Sequence, residues 1–342
     1  MKLLVTGGAG FIGSNFIRYF LKTYHDCKIL NLDKLTYAGN LENLAEVEPD
    51  PRYRFHKGDI CDREVVVNLL REPFDAVVHF AAESHVDRSI ADARAFIETN
   101  VAGTYTLLDA ARRCSIPRFL HVSTDEVYGS LKPDERSDEN WPLAPNSPYA
   151  ASKASSDLLV RCYWVTHRFP VLITRSSNNY GPSQFPEKLV PLMITNALEG
   201  KKLPVYGDGL NERDWVFVED HCRALDCVLR SGRPGEIYNI GCGEPLANLE
   251  IVRSLLRILD APEDLIEFVP DRPGHDRRYA LDTRKIAREL GWKAEVGLED
   301  GLRRTVEWYR NHPEWIRKAK SGEYRAYYEK FYINRRESLA QI

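Results

Sequence analysis

The chain has 342 residues, 43% of them hydrophobic and 28% charged, an ordinary balance for a folded globular protein. A formal net charge of −3 gives no basic field to recruit nucleic acid or an anionic membrane, and no run approaches the roughly 18 apolar residues of a membrane span. Seven scattered cysteines without a C-x-x-C, and an N-terminus that runs straight into glycines, argue against a disulfide framework, a metal site or a leader peptide, so a cytoplasmic location with free thiols is expected.

The first half alternates short β-rich runs with longer stretches of helical apolar spacing. Strands are predicted at residues 3–6, 28–32, 53–57, 76–80, 119–123 and 171–174, with helices at 12–24, 65–70, 101–113 and 150–169. Continuously apolar strands separated by helices imply parallel pairing with both faces covered. The expected class is therefore α/β, a doubly wound parallel sheet of Rossmann type, with ligands at the carboxyl ends of its strands. After residue 175 prolines punctuate shorter elements. Two later runs, 215–218 and 237–240, again have the composition of buried strands. The expected division is a nucleotide-binding part over 1–175, with 214–241 returning to it, and an interleaved, mainly substrate-binding part over 176–342.

Thr6-Gly7-Gly8-Ala9-Gly10-Phe11-Ile12-Gly13 joins the first strand to the first helix. Glycines at Gly7, Gly10 and Gly13 permit a tight turn and close backbone approach, and the helix start, with Phe11 and Ile12, offers N–H groups to a pyrophosphate. Asp33 closes the second strand, where a carboxylate bonds ribose hydroxyls and repels a 2′-phosphate. NAD is thus preferred to NADP, with the neighbouring Lys34 weakening the preference. Asp59-Ile60, after the third strand, frames the adenine or caps the next helix. Ala81, after the fourth, joins the cofactor set.

Further along, Ser123-Thr124 ends the fifth strand and Tyr149-Ala150-Ala151-Ser152-Lys153 opens a long helix. Residues four apart share a helix face, and an ammonium beside a phenol lowers its pKa, making Tyr149 with Lys153 a usable base. His79 and His121 lie in apolar strands and read as core residues.

With the glycine turn and the Tyr149/Lys153 pair in place, the chain resembles the extended short-chain dehydrogenase/reductase family, whose members process nucleotide sugars. The resemblance implies a recycled NAD, with Tyr149 taking a proton from a sugar hydroxyl as hydride leaves the same carbon. A narrower feature is Thr124-Asp125-Glu126, which resembles the corresponding triplet of the dTDP-glucose 4,6-dehydratases. Related epimerases usually carry small hydroxyl residues there, and nucleotide-sugar decarboxylases keep the glutamate without the aspartate. Once carbon 4 is a ketone the carbon-5 proton is acidified, so one carboxylate can remove it while a carboxylic acid protonates the leaving hydroxyl on carbon 6. Two close carboxyls also push their pKa values apart. The resemblance makes Glu126 the base and Asp125 the acid. For both to reach one sugar, the strand must end or twist at Thr124.

The same resemblance implies a substrate site built from Ser84, Thr124, Asn178, Lys188, Leu189, Pro204, Tyr206, Arg213, Asn248, Arg272 and His275. Arg213 and Arg272 offer bidentate donors to a diphosphate and Tyr206 a face to a pyrimidine. Tyr324, Tyr327, Tyr328 and Tyr332 are further candidates in the tail. A homodimer is implied through helices at 104–113 and 155–166, with Leu107, Leu108, Leu158, Leu159 and Trp164 as surplus apolar positions. The implied activity is NAD-dependent dehydration of a nucleotide-linked glucose to its 4-keto-6-deoxy product. A 4-epimerase or decarboxylase on the same scaffold, or a silent NAD-binding module, are the alternatives; Asp125-Glu126 speaks against the first two, and the retained Tyr149 and Lys153 against the third. Thymidine and uridine differ by one methyl, worth only about 1–3 kcal/mol in an apolar pocket, so the base stays open.

Overall fold

A computed structural model describes residues 1–321 with Tyr324, Tyr328 and Phe331; Tyr327 and Tyr332 lie outside the described residues. Its first half runs β1 (Lys2–Thr6), α1 (Phe11–Thr23), β2 (Lys28–Asp33), β3 (Tyr53–Lys57), α2 (Arg63–Leu70), β4 (Ala76–His79) and α3 (Val86–Ala91). Then come α4 (Arg94–Phe96), a π-turn over Ile97–Gly103, α5 (Thr104–Arg113), β5 (Phe119–Thr124), α6 (Pro148–His167) and β6 (Val171–Ser176). The π-turn joins α4 to α5, so the helical stretch starts earlier than its apolar spacing predicted. Ser147 caps α6, accepting from the Ala150 amide at 3.1 Å with Pro148 in the first turn, and the helix stops where Arg168 turns left-handed at φ 54°.

The second half contains β7 (Asn178–Tyr180), α7 (Leu189–Leu198), β8 (Leu203–Tyr206), β9 (Glu212–Arg213), β10 (Trp215–Phe217), α8 (Val218–Ser231), β11 (Ile237–Ile240) and β12 (Leu246–Ala247). It continues through α9 (Asn248–Leu259), β13 (Ile266–Val269), α10 (Arg284–Leu290), α11 (Leu298–Asn311) and α12 (Pro313–Ala319).

A seven-stranded parallel sheet in the order β11-β6-β5-β4-β1-β2-β3 forms the centre. The chain winds outward from β1 in both directions, which opens a crevice at the carboxyl ends of β1 and β4. One face of the sheet packs Phe16, Ile17 and Phe20 of α1 against Cys222, Leu225 and Leu229 of α8; the other packs Leu107 and Leu108 of α5 with Val160 of α6. A third core joins Ile194, Phe217, Leu255, Leu302 and Tyr309 in the second lobe.

Of the two late runs, 237–240 enters the sheet beside β6, but 215–217 does not: β10 pairs with the short β7 instead. The physical reason is that Trp215 and Phe217 pack against Tyr180 in the second-lobe core. The chain also returns to the sheet a second time, since Ile286 and Trp292 belong to the α1/α8 layer. Leu107 and Leu108 are fully buried under the sheet and have no surface left for a partner. The exposed apolar side chains on these helices are Ile97, Tyr105, Leu158 and Val165, each more than half exposed, while Leu159 and Trp164 are half-buried. No helix among the described residues is long and apolar enough to cross a membrane.

Candidate active site

The cleft above β1, β4 and β5 has a volume of ≈ 340 Å³ and begins at the glycine turn. Gly7 has φ +71°, and a Cβ there would stand 2.5 Å from the Ala81 amide nitrogen; one on Gly13 would stand 2.4 Å from the Gly7 carbonyl oxygen. Neither position tolerates a side chain. Helix α1 starts at Gly10 with no side-chain cap and no acidic residue in its first turn, leaving its N–H groups and positive end to the cleft. Such a cradle fits a pyrophosphate. Phe11, Ile12, Gly10 and Ala81 line the same wall.

Asp33 sits at the end of β2, nearly buried, accepting from the Ala9 amide at 2.9 Å and the Leu35 amide at 2.8 Å. Burial pushes its carboxyl up, and the two amides oppose that. Lys34 is drawn aside by Asp59, 2.7 Å away, so its ammonium is engaged rather than free to attract a 2′-phosphate. Asp59 is not the cap of α2; Asp62 is, accepting from Glu64 and Val65. Ile60 lines the cleft beside Asp59.

Thr124, Asp125, Glu126, Tyr149 and Lys153 converge on the far side of this cleft. Strand β5 stops at Thr124, whose hydroxyl accepts from the Glu126 amide at 3.3 Å and starts a 3-10 turn over Asp125–Tyr128. The turn breaks the strand alternation, so both carboxyl residues line one cleft. Asp125 is 2% exposed, and burial, then the charge of Glu126, pushes its carboxyl well above the carboxylate range. Burial also raises Glu126, but Arg272, Lys188 and Arg213 pull the other way. Burial thus favours the protonated form of both carboxyls, and the three cations oppose that rise at Glu126.

The phenol of Tyr149 faces Thr124, whose hydroxyl donates to the Asp125 carboxyl at 3.3 Å, and is pushed above its ordinary value by burial and by Glu126. Lys153 donates to the Val122 carbonyl at 2.8 Å, and burial pulls it down to about 8. A direct lowering of the phenol by the ammonium is therefore not what dominates here; desolvation and the two carboxyls outweigh it. His79 is satisfied by the Thr6 and Thr104 hydroxyls at 2.7 and 2.9 Å.

The substrate candidates fall into two groups. Ser84, Asn178, Lys188 and Leu189 line the cleft, with the Lys188 ammonium 2.7 Å from the Ser84 carbonyl. Pro204, Tyr206, Arg213, Asn248, Arg272 and His275 form an adjoining cluster. Pro204 and Tyr206 lie on β8, paired with β13; His275 bonds Asp271 at 2.6 Å and meets the Tyr206 ring edge-on. Arg213 lies 4.2 Å over the Tyr279 ring, and the Asn248 side-chain oxygen is buried without a partner among the described residues. The clusters meet at Glu126, on which the Arg272 and Arg213 charges both act. The Tyr324 hydroxyl donates to the Pro186 carbonyl and its ring meets that of the cleft-lining Phe185 at 5.8 Å, while the Tyr328 hydroxyl accepts from Asn196.

Two carboxylates escaped the sequence reading. Asp87 accepts from Arg272 at 3.0 Å and from the Tyr206 hydroxyl at 2.7 Å, tying the adjoining cluster to α3. Glu187, buried in the cleft and pushed to about 7 by desolvation, accepts from the Tyr37 hydroxyl at 3.0 Å, and Arg88 stacks 3.8 Å over the Tyr37 ring. A carboxylate beside a lysine, as in Glu187-Lys188, has no signal to separate it from a surface pair.

A parallel sheet with this glycine turn, an acid at the end of β2 and a Tyr-x-x-x-Lys helix defines an extended short-chain dehydrogenase/reductase. The family profile described as GDP-mannose 4,6 dehydratase matches residues 4–305. The dTDP-glucose 4,6-dehydratase of Streptomyces niveus is 52% identical over 94% of this chain and 97% of its own. Among solved structures, the dTDP-glucose 4,6-dehydratase DesIV from Streptomyces venezuelae with NAD and TYD bound superposes with a TM-score of 0.91 at 55% identity, covering 94% of this chain and 100% of that one. A Thermus thermophilus UDP-glucose 4-epimerase in complex with NAD gives 0.84 at 33% identity over 91% and 100%. The chain belongs to the GDP-mannose 4,6 dehydratase family.

Proposed function

We infer that the protein is an NAD-dependent hydro-lyase converting dTDP-glucose to the 4-keto-6-deoxy sugar nucleotide. The observation that carries this reading is the Asp125–Glu126 turn. Two adjacent carboxyls face one cleft in opposed electrostatic surroundings, which elimination needs and epimerisation does not. Likeness to dehydratases at 52% and 55% identity, against 33% for an epimerase, supports the same choice.

In this reading residues 1–175 with 237–240 hold the cofactor, and the remainder mainly holds the sugar nucleotide. Gly7, Gly10, Gly13 and the start of α1 cradle the pyrophosphate; Asp33 takes the ribose hydroxyls, Asp59 and Ile60 flank the adenine. Bound NAD supplies a hydride acceptor for carbon 4 and a donor for carbon 6. Tyr149, backed by Lys153, takes the proton of the carbon-4 hydroxyl as a phenolate, a form that the positive charge of bound NAD would favour against the burial that raises the free phenol. Glu126 then removes the carbon-5 proton, and Asp125, whose burial favours the acid form, gives its proton to the carbon-6 hydroxyl, which leaves as water. Glu126 returns its proton to carbon 5 as carbon 6 is reduced, so the net loss is one water. Arg213, Arg272 and His275 face the diphosphate while Tyr206 offers its ring to the pyrimidine. Two copies associate through the exposed Ile97, Tyr105, Leu158 and Val165.

Incubation with dTDP-glucose and product mass spectrometry tests the reading. Loss of one water is expected; an unchanged mass with inverted carbon 4 would indicate an epimerase and overturn it.

A further inference from the structure

The Tyr149 face of α6 does not end at Lys153. Tyr149, Lys153 and Asp157 recur at four-residue spacing, so the three lie along one face of the helix. Asp157 is 1% exposed. Its carboxylate accepts from the Arg175 Nε of β6 at 2.8 Å and stands 3.4 Å from the His121 Nε2 of β5. Arg175, 4% exposed, also donates to the Tyr128 hydroxyl at 2.9 Å, and Tyr128 donates to the Asn239 side-chain oxygen at 2.8 Å. On β4, His79 stands ring to ring with His121 at 5.3 Å. His79, His121, Arg175 and Tyr128 are thus the titratable and charged groups that face Asp157 and Lys153 from β4, β5, β6 and the 3-10 turn.

Stability alone gives no reason for this arrangement. A buried ion pair is often matched or bettered by apolar side chains of similar volume, because desolvating both charges cancels most of their attraction. Lys153 has its own need. Lys153 is 5% exposed and its ammonium donates to a neutral carbonyl, which does not offset the cost of burying a cation.

We infer that Asp157 is a positioning residue for the Tyr149–Lys153 pair: one helical turn beyond Lys153, its carboxylate is the countercharge that keeps the buried ammonium charged, while the Arg175 guanidinium holds that carboxylate in place. The inference rests on Tyr149 and Lys153 being the oxidising pair. Burial pulls Lys153 down, and the Asp157 charge opposes that descent. Burial would raise Asp157 itself, but its contacts with His121 and Arg175 outweigh this and hold it below the ordinary carboxylate range. His121 is pulled down to about 4 by burial and by the Lys153 charge, so it stays neutral and adds no competing cation.

Two readouts on the NAD-loaded protein test this. The first is a 13C NMR titration of the lysine ε-methylenes, with Lys153 assigned by its loss in Lys153→Arg. The wild-type midpoint is expected near 8. Asp157→Asn should lower it by about one pH unit or more, and Asp157→Glu should restore most of the difference. The second is the pH profile of NADH formation on mixing with dTDP-glucose. Its upper limb, where the pair gives up its last proton, should move down with the NMR midpoint. If Asp157→Asn does not fold, Asp157→Asn combined with Arg175→Met removes both charges and leaves none orphaned, and the same shift is expected. A folded variant with an unmoved Lys153 midpoint overturns the inference. So does a rate that drops equally at every pH. Wild-type protein that titrates as expected but never reduces NAD overturns the functional reading, and the positioning role with it.

Discussion

Glu126→Gln should separate binding from chemistry and move them in opposite directions. The contacts that shape the turn are made by the Glu126 backbone, its amide to Thr124 and its carbonyl to the Gly129 amide at 3.2 Å, so an amide of similar size leaves the turn intact. Removing a positioned base typically costs about 100- to 10,000-fold, or roughly 3–5 kcal/mol of barrier. The same change removes a negative charge facing Lys188, Arg213 and Arg272. One charge acting over roughly 8 Å through an effective dielectric of about 20–40 is worth about 1–2 kcal/mol, so dTDP should bind roughly 5- to 30-fold tighter. Exchange of the carbon-5 proton in heavy water measures the chemistry, NADH absorbance the preceding oxidation, and calorimetry with dTDP the binding. The pH sign is fixed by burial, which raises the folded pKa of Glu126. A base works deprotonated, so wild-type exchange should be full above that value and fall as pH drops through it, at a higher pH than an ordinary glutamate would give. The Gln variant should lack this limb. Exchange at the wild-type rate, or weakened dTDP binding, would refute the reasoning.

Three further outcomes follow from the geometry. Asp33→Ala should weaken NAD more than NADP, and Asp59→Asn, by freeing Lys34, should narrow the gap from the NADP side; equal losses in titrations of both cofactors would show that the ribose is read elsewhere. Gly13→Ala places a methyl against the Gly7 carbonyl, an overpacking worth about 1–3 kcal/mol; the purified protein should melt at a lower temperature and carry little NAD, and a full complement would contradict the cradle. Leu158→Arg should convert a dimeric light-scattering mass to a monomeric one without loss of secondary structure, while a monomeric wild type at micromolar concentration would remove the dimer altogether.

What was legible in the sequence was local. The glycine turn, Asp33 at a strand end and Tyr149 with Lys153 on one helix each declare themselves within a few residues, because backbone geometry dictates their spacing. The Thr124 break was foreseeable from strand alternation, since both carboxyls cannot otherwise share a cleft. Asp87 was not legible: its partners Tyr206 and Arg272 are more than a hundred residues away, and nothing near it distinguishes a buried clamp from a solvated helix end. Asp157 lies in a run whose serines and alanines read as ordinary helix, and Arg175 ends an apolar strand where no neighbour announces a partner. The strand-like composition of 215–217 was real, but composition does not say which core a strand serves, and the aromatic contacts with Tyr180 sent it to the second lobe.

The order of the sheet carries a consequence for biosynthesis. Strand β11 is the last strand of the seven-stranded sheet to be made, yet it covers the outer edge of β6 and supplies Asn239, which receives the Tyr128 hydroxyl from the turn bearing Asp125 and Glu126. A ribosome that has released only the first 175 residues has produced every glycine of the cofactor cradle, but β6 is then an unpaired apolar edge. The reactive turn at that stage lacks its far support. Nascent protein should therefore be prone to edge-to-edge association until about residue 240 has emerged, and truncations placed between β6 and β11 should aggregate rather than yield a small NAD-binding domain.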